Sequence, residues 1–576
     1  ELREAKNEIF AQALANRQTA QGRAFELGEA LVSTGNPNAA DLRLERIGAV
    51  TLADVQRVAQ AWLRPEGKVT ITYRAGEDDP ASYANPAPMP KFGTVPPATG
   101  APLAVRPEAE RMAPPLSMAA PPVVRAQFVE ARLANGIPLV SAQTTNVPIA
   151  TITLVFPGGS AADPAGKAGV AELAATVADK GTAVRSATEI AATLEALGAS
   201  LGFNAGSDGS FVSLTAPTAN LREAGAVLVD ILQNAAFPEA EFERERQRAL
   251  DGLTATLKDP GALANLVATR VMYGDAPYGE VANPASIPAI TRADLVAHRE
   301  TYWHPATARI VISGGLAASE AQALAGELFG GWTSPRAAPA ALPDPAGHPR
   351  APRTVVIDMP DAGQAAVMAG VRALSRKDPD FYKLWLANTV LGSGSNGRLF
   401  EEIRTKRGLS YGAYSQLATA ADEAVLVAQA QTKNETADEV AAVFFEQFAL
   451  LGREPLAEDA LEKRRLFLGG AIARSLETSG GFNGQIASLM LRGIEPDEAF
   501  RIAERLAQVG AAEVAGIAQA ILAPEQASLV IVGDAKLFLD DLMKLRGEVE
   551  VIPFGELDLA STDLRKEAAA TQATGE

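Results

Sequence analysis

The residues best placed to do chemistry lie close together: the run Leu391-Gly392-Ser393-Gly394-Ser395-Asn396-Gly397, then Arg404, then Tyr411 seven positions later. A guanidinium and a phenolic hydroxyl both donate hydrogen bonds to oxygens that carry negative charge, and glycines let a backbone approach a ligand closely. In isolation the glycine run reads as a phosphate loop. It lacks the Gly-Lys-Ser/Thr that would complete one, and the chain is acidic, so nucleotide binding is set aside. Stripped of context, Arg404 reads as a solvated helix charge and Tyr411 as a half-buried strand residue. Metal chemistry has few candidates. There is no cysteine, and of three histidines His298 and His304 fall in a helix and the turn after it while His348 falls in a linker, so structural roles are expected for all three.

The elements that must position these residues are organised as a repeat. Shifting Glu1–Tyr73 by 459 positions lays it without a gap on Ala460–Val532, with Thr19 on Thr478, Gly22 on Gly481, Pro37 on Pro496 and Ala59-Gln60-Ala61 on Ala518-Gln519-Ala520. A shorter third copy runs from Ile290-Thr291-Arg292-Ala293-Asp294 through Tyr302 and Pro305 to Ile310-Val311-Ile312, parallel to Val50–Thr72. Each copy predicts a helix closed by a strand: Thr51 and Thr291 stand three residues before Asp54 and Asp294, a capping spacing, and a proline precedes a β-rich run such as Ser528–Val532. Alternating runs such as Phe211–Ala216 and Ala424–Thr432 predict further strands between helices.

Two stretches dense in proline and alanine predict connectors. The chain is thereby divided into the closing part of a domain (1–76), a linker (77–123), a complete domain (124–333), a linker (334–351), a second complete domain (352–547) and a mobile tail (548–576). At 576 residues it is too long for one core, and its 47% hydrophobic and 21% charged residues are those of a globular protein. No apolar run reaches eighteen residues. A net charge of −17 repels phosphate backbones, which excludes nucleic acid as a partner. The absence of cysteine fits reducing and oxidising compartments alike, and the periplasm is favoured over the cytoplasm.

Two stretches resemble the M16 (pitrilysin/insulinase-like) zinc metallopeptidase family. Gly169-Val170-Ala171-Glu172-Leu173-Ala174-Ala175-Thr176 through Lys180-Gly181-Thr182 looks like the family's zinc helix, which in active members carries His-x-x-Glu-His, and Glu243-Arg244-Glu245-Arg246 looks like the helix that brings a further glutamate ligand. At the matching positions stand Glu172, Ala175, Thr176 and Gly252, so the metal site is vacated. Val170, Leu173, Ala174 and Val177 form a core stripe, and Glu172, Ala175, Thr176 and Asp179 are expected on the opposite face. The glycine run with its following helix resembles the loop of the family's last domain, where an arginine and a tyrosine seven residues apart reach the zinc site.

That resemblance implies an α+β chain of tandem M16-type domains, each an antiparallel-rich sheet packed with helices (the LuxS/MPP-like metallohydrolase fold). It implies Arg404 and Tyr411 as catalytic residues that stabilise an oxyanion, and Gly392, Gly394 and Asn396 as substrate-binding residues. No cofactor is expected in this chain. Zinc is expected in a catalytic M16 half, upstream in cis or on a heterodimer partner, which with this half encloses a peptide. The alternative is a proteolytically inactive structural or binding subunit of the M16-like core-protein type.

Overall fold

Runs of alternating and fully apolar residues form two sheets of six strands each in the computed structural model, which describes residues 1–73, 106–112 and 126–566. The first holds β1 (Phe128–Arg132), β2 (Pro138–Gln143), β3 (Ile149–Pro157), β4 (Ser200–Ala205), β5 (Gly209–Pro217) and β6 (Arg309–Gly314), in the order β1-β2-β6-β3-β5-β4. The second holds β7 (Thr354–Asp358), β8 (Ala365–Ala373), β9 (Ala413–Thr419), β10 (Ala424–Thr432), β11 (Ser528–Gly533) and β12 (Glu550–Pro553), in the order β12-β7-β11-β8-β10-β9. Most pairings are antiparallel. The closing strands β6 and β11 take equivalent places: each runs parallel to one neighbour (β2 or β7) and antiparallel to the other (β3 or β8).

The repeat seen in the sequence is a repeat of helices with the same caps. Helices Ala20–Thr34, Pro260–Tyr273 and Ser479–Leu491 begin after Thr19, Asp259 and Thr478, whose side chains accept from the backbone N–H of Gly22, Ala262 and Gly481 at 2.9, 2.7 and 3.0 Å. A side-chain oxygen there satisfies a first-turn N–H that has no partner within the helix. The third copy is therefore longer than its sequence match showed.

One face of the first sheet is packed by helices of its own segment, including Val170–Val177, Leu221–Asn234 and Ala318–Phe329. Its other face is covered from far along the chain by helix Ser479–Leu491, through Phe482, Ile486 and Leu489 against Val140, Val155 and Val311. The exchange is mutual. Helix Pro260–Tyr273 covers the second sheet, with Val267, Val271 and Met272 against Val355, Ile357, Met368 and Val530. Each such side chain contributes on the order of 1.5–3 kcal/mol by burial. For that reason the predicted separate domains 124–333 and 352–547 fall into one compact unit, together with residues 3–44.

The described residues between 45 and 120 fall in the other unit. Its helix Leu52–Trp62 is closed by the expected capping box, Thr51 N–H donating to Asp54 Oδ2 at 3.1 Å and Asp54 N–H to Thr51 Oγ1 at 3.2 Å. The strand expected at Val69–Thr72 is not formed: residues 68–73 are exposed and without regular secondary structure, and no strand among the described residues pairs with them. A strand needs a neighbour to accept its ladder bonds. The predicted boundary at residue 76 is replaced by one near 44. Asn7 Nδ2 donates to Ala196 O at 2.6 Å, and Gln18 Oε1 accepts from Ser479 N–H at 2.8 Å, which ties the first helices to the larger unit.

The linker 77–123 lies almost wholly outside the described residues. The mobile tail predicted from 548 begins too early: β12 pairs in parallel with β7, and Leu559 and Leu564 are buried. The adjacent Val551 and Ile552 supply β-branched residues that pair with β7, with Ile552 buried, despite the acidic composition around them.

Candidate functional site

Arg404 sits on a helical segment, Phe400–Lys406, wound more widely than an α-helix. Such π-turns are frequent at functional sites. Gly408 ends it at φ +64°, a left-handed conformation that costs glycine nothing, and its N–H donates to Arg404 O at 3.1 Å while Leu409 N–H donates to Ile403 O at 2.9 Å. The chain reverses there. Tyr411 returns beside the helix, and its ring lies 4.4 Å from the Arg404 guanidinium carbon.

The guanidinium also meets Phe400, ring centroid 4.9 Å away, so Arg404 contacts two aromatic rings. Tyr411 is 87% exposed. Tyr414, on edge strand β9, stacks obliquely on Phe400 at 5.9 Å and extends the patch. Sequence reasoning missed Phe400 and Tyr414. Their signal was spacing: Phe400 is one helical turn before Arg404, and Tyr414 is exposed on the edge strand that follows Tyr411.

The glycine run divides by role. Gly392 is buried, and a β-carbon there would stand 2.2 Å from Ser415 N, so its bareness admits strand β9. Gly394, at φ +74°, and Asn396 are exposed, and the Asn396 carbonyl accepts from Arg464.

The helix Val170–Val177 is present and its core stripe is buried as expected, while Glu172 and Thr176 are exposed. Ala175 is not on an open face. It is buried, because helices Glu239–Thr256 and Arg292–Tyr302 pack against this helix and a methyl group is small enough to be covered. Gly252, on helix Glu239–Thr256, is exposed, with open space where a side chain would begin.

Zinc does not fit these positions. Glu172 supplies one carboxylate, Thr176 a neutral hydroxyl, and Ala175 and Gly252 nothing, whereas zinc takes three or four Cys, His or carboxylate ligands. Among the described residues no three His, Cys, Asp or Glu side chains converge.

The start of this helix holds a residue that the sequence did not single out. Asp163 accepts from the N–H groups of Gly169 and Ala171 at 2.7 and 2.8 Å, and burial pushes its carboxyl pKa up to about 6. His298 is buried against Tyr302 and Trp303, and desolvation lowers its pKa to about 4. His304 accepts from Ala306 N–H through Nδ1 at 3.1 Å and stands 3.0 Å from Arg336 O through Nε2.

Residues 139–280 match the family model described as insulinase (peptidase family M16), and residues 289–467 match the one described as peptidase M16 inactive domain, together more than half of the chain. The chain belongs to the M16 peptidase family.

Among its M16 relatives are uncharacterized zinc proteases of Streptomyces coelicolor, 24% identical over 62% of this chain and 79% of the relative, and of Mycobacterium leprae, 26% identical over 63% and 83%. The solved structure of a peptidase M16 inactive domain from Pseudomonas fluorescens is 25% identical, with a TM-score of 0.65 over 70% of this chain and 98% of that one. A Helicobacter pylori protease, 18% identical with a TM-score of 0.65, shares the fold. The M16 fold thus accounts for both sheets.

Proposed function

We propose that this chain is the non-catalytic half of an M16 zinc metalloendopeptidase. It forms half of a peptide-enclosing chamber and presents Arg404 and Tyr411 to a zinc-bearing half located upstream in cis or on a partner chain. The observation that carries this reading is the Arg404–Tyr411 pair itself: a guanidinium in contact with two rings beside an exposed phenol, in a chain whose described residues hold no cluster of metal-ligating side chains. Such donors stabilise the oxyanion that builds up as a peptide carbonyl is attacked.

The test is reconstitution. An internally quenched peptide is offered to this chain alone, to a His-x-x-Glu-His-bearing M16 half from the same genome alone, and to the two mixed. Hydrolysis is expected from the mixture only. Full turnover by the zinc-bearing half alone would leave this chain as a scaffold of the core-protein type.

A further inference from the structure

Three copies of one helix occur in this chain, and two of them do the same job. In Pro260–Tyr273 the positions Val267, Ala268, Val271 and Met272 are buried against the second sheet, and in Ser479–Leu491 the matching Ile486, Ala487, Met490 and Leu491 lie against the first. By the repeat register these are Leu27, Gly28, Leu31 and Val32 of helix Ala20–Thr34. Yet Leu27, Leu31 and Val32 are 51%, 52% and 88% exposed. Arg23 stands where Leu263 and Phe482 are buried, so the match lies in the later turns, and beneath these, among the described residues, there is no sheet.

We propose that helix Ala20–Thr34 docks, through Leu27, Leu31 and Val32, onto the uncovered sheet face of the zinc-bearing M16 domain. The inference rests on the proposed function above and names the surface by which the halves join. A second copy of this chain is a poor occupant: β3 and β8 are buried at nearly every residue, so both sheets already have both faces covered. The docking face is continuous with the existing exchange of helices. Gln18 Oε1, just before the helix, accepts from both the backbone N–H and the hydroxyl of Ser479, the first residue of the helix that covers the first sheet, at 2.8 and 3.0 Å. The three N-caps match as well, so copy one starts as the two sheet-covering helices do.

The test measures binding of the full chain to the purified His-x-x-Glu-His-bearing M16 half from the same genome. The double variant Leu27→Asp/Leu31→Asp should raise Kd by about 100-fold or more, since two carboxylates cannot be buried unpaired, and Leu27→Ala/Leu31→Ala by about 10-fold. Glu29→Lys, on the opposite side of the helix, should leave Kd within about 3-fold. Unchanged melting temperatures of the isolated variants are expected, because these side chains are exposed. If the wild-type chain binds and the Asp variant binds equally well, this inference fails and the proposed function stands. If the wild-type chain does not bind the zinc-bearing half, both fail. Self-association that the Asp variant abolishes would make the occupant a second copy and overturn the proposal.

Discussion

The guanidinium carbon of Arg404 lies over the ring of Tyr411, 4.4 Å from its centroid, and over that of Phe400 at 4.9 Å. Arg404 and Tyr411 are both exposed, so guanidinium N–H groups and the phenolic O–H are open to a ligand oxygen. In the reconstituted enzyme Tyr411→Phe keeps the stack and removes one donor. Turnover should fall by roughly 100-fold with KM little changed, and the melting temperature of this chain should hold. Phe400→Ala instead loosens Arg404 while leaving both donors present, so a smaller loss is expected. Turnover unaffected by Tyr411→Phe would remove the pair from the mechanism.

Zinc binding should be absent from the isolated chain, because its four M16 site positions hold one carboxylate, one hydroxyl and two side chains without donors. Metal analysis after dialysis is expected to find well under one equivalent. About one equivalent, lost on Glu172→Ala, would contradict the fit argument.

Mutual exchange of helices predicts cooperative unfolding. Asn483 is fully buried in the interface with the first sheet, and its Nδ2 donates to Thr151 O at 2.8 Å and Val311 O at 3.0 Å, with Thr153 Oγ1 at 3.3 Å. Asn483→Ala removes these donors and opens a small void, and should lower the unfolding free energy by about 2–3 kcal/mol. Urea denaturation should show residues of both sheets unfolding in one transition. Two resolved transitions, with only the first-sheet transition shifted by the mutation, would argue that the halves are independent.

Opposed titrations give the last prediction. The raised pKa of Asp163 means the folded state holds its proton where the unfolded state has released it, so its contribution to stability is largest at low pH and is lost as pH rises from about 4 to 6. His298 runs the other way. Its lowered pKa means the unfolded state binds a proton first, so stability is lost as pH falls from about 6.5 towards 4. Each effect is on the order of 3 kcal/mol at full extent. Relative to wild type, Asp163→Asn should therefore become more stable as pH rises, and His298→Phe more stable as pH falls. A pH-independent difference for either variant would show that its group does not titrate as the geometry requires.

Local signals carried much of this protein's architecture. Thr19 and Thr478, Thr51 and Thr291 announce their helices because a cap acts over three residues and needs nothing distant. Apolar periodicity over Val170–Val177 located its core stripe, and the reversal that brings Tyr411 back to Arg404 sits on Gly408, where backbone freedom at one residue decides it. The family pattern was legible for the same reason: it consists of short runs.

What the tertiary structure alone decided are matters of what lies beside what. Nothing in Ser479–Leu491 says that its apolar face covers the other segment's sheet rather than its own, because burial has no direction along the chain. Val69–Thr72 reads as a strand yet is none, because strand formation depends on a neighbour that propensity does not supply. Ala175 reads as open and is covered, the bareness of Gly392 admits β9, and β12 lies in what composition marked as tail. In each case the deciding partner is remote in sequence, and only packing brings it into reach.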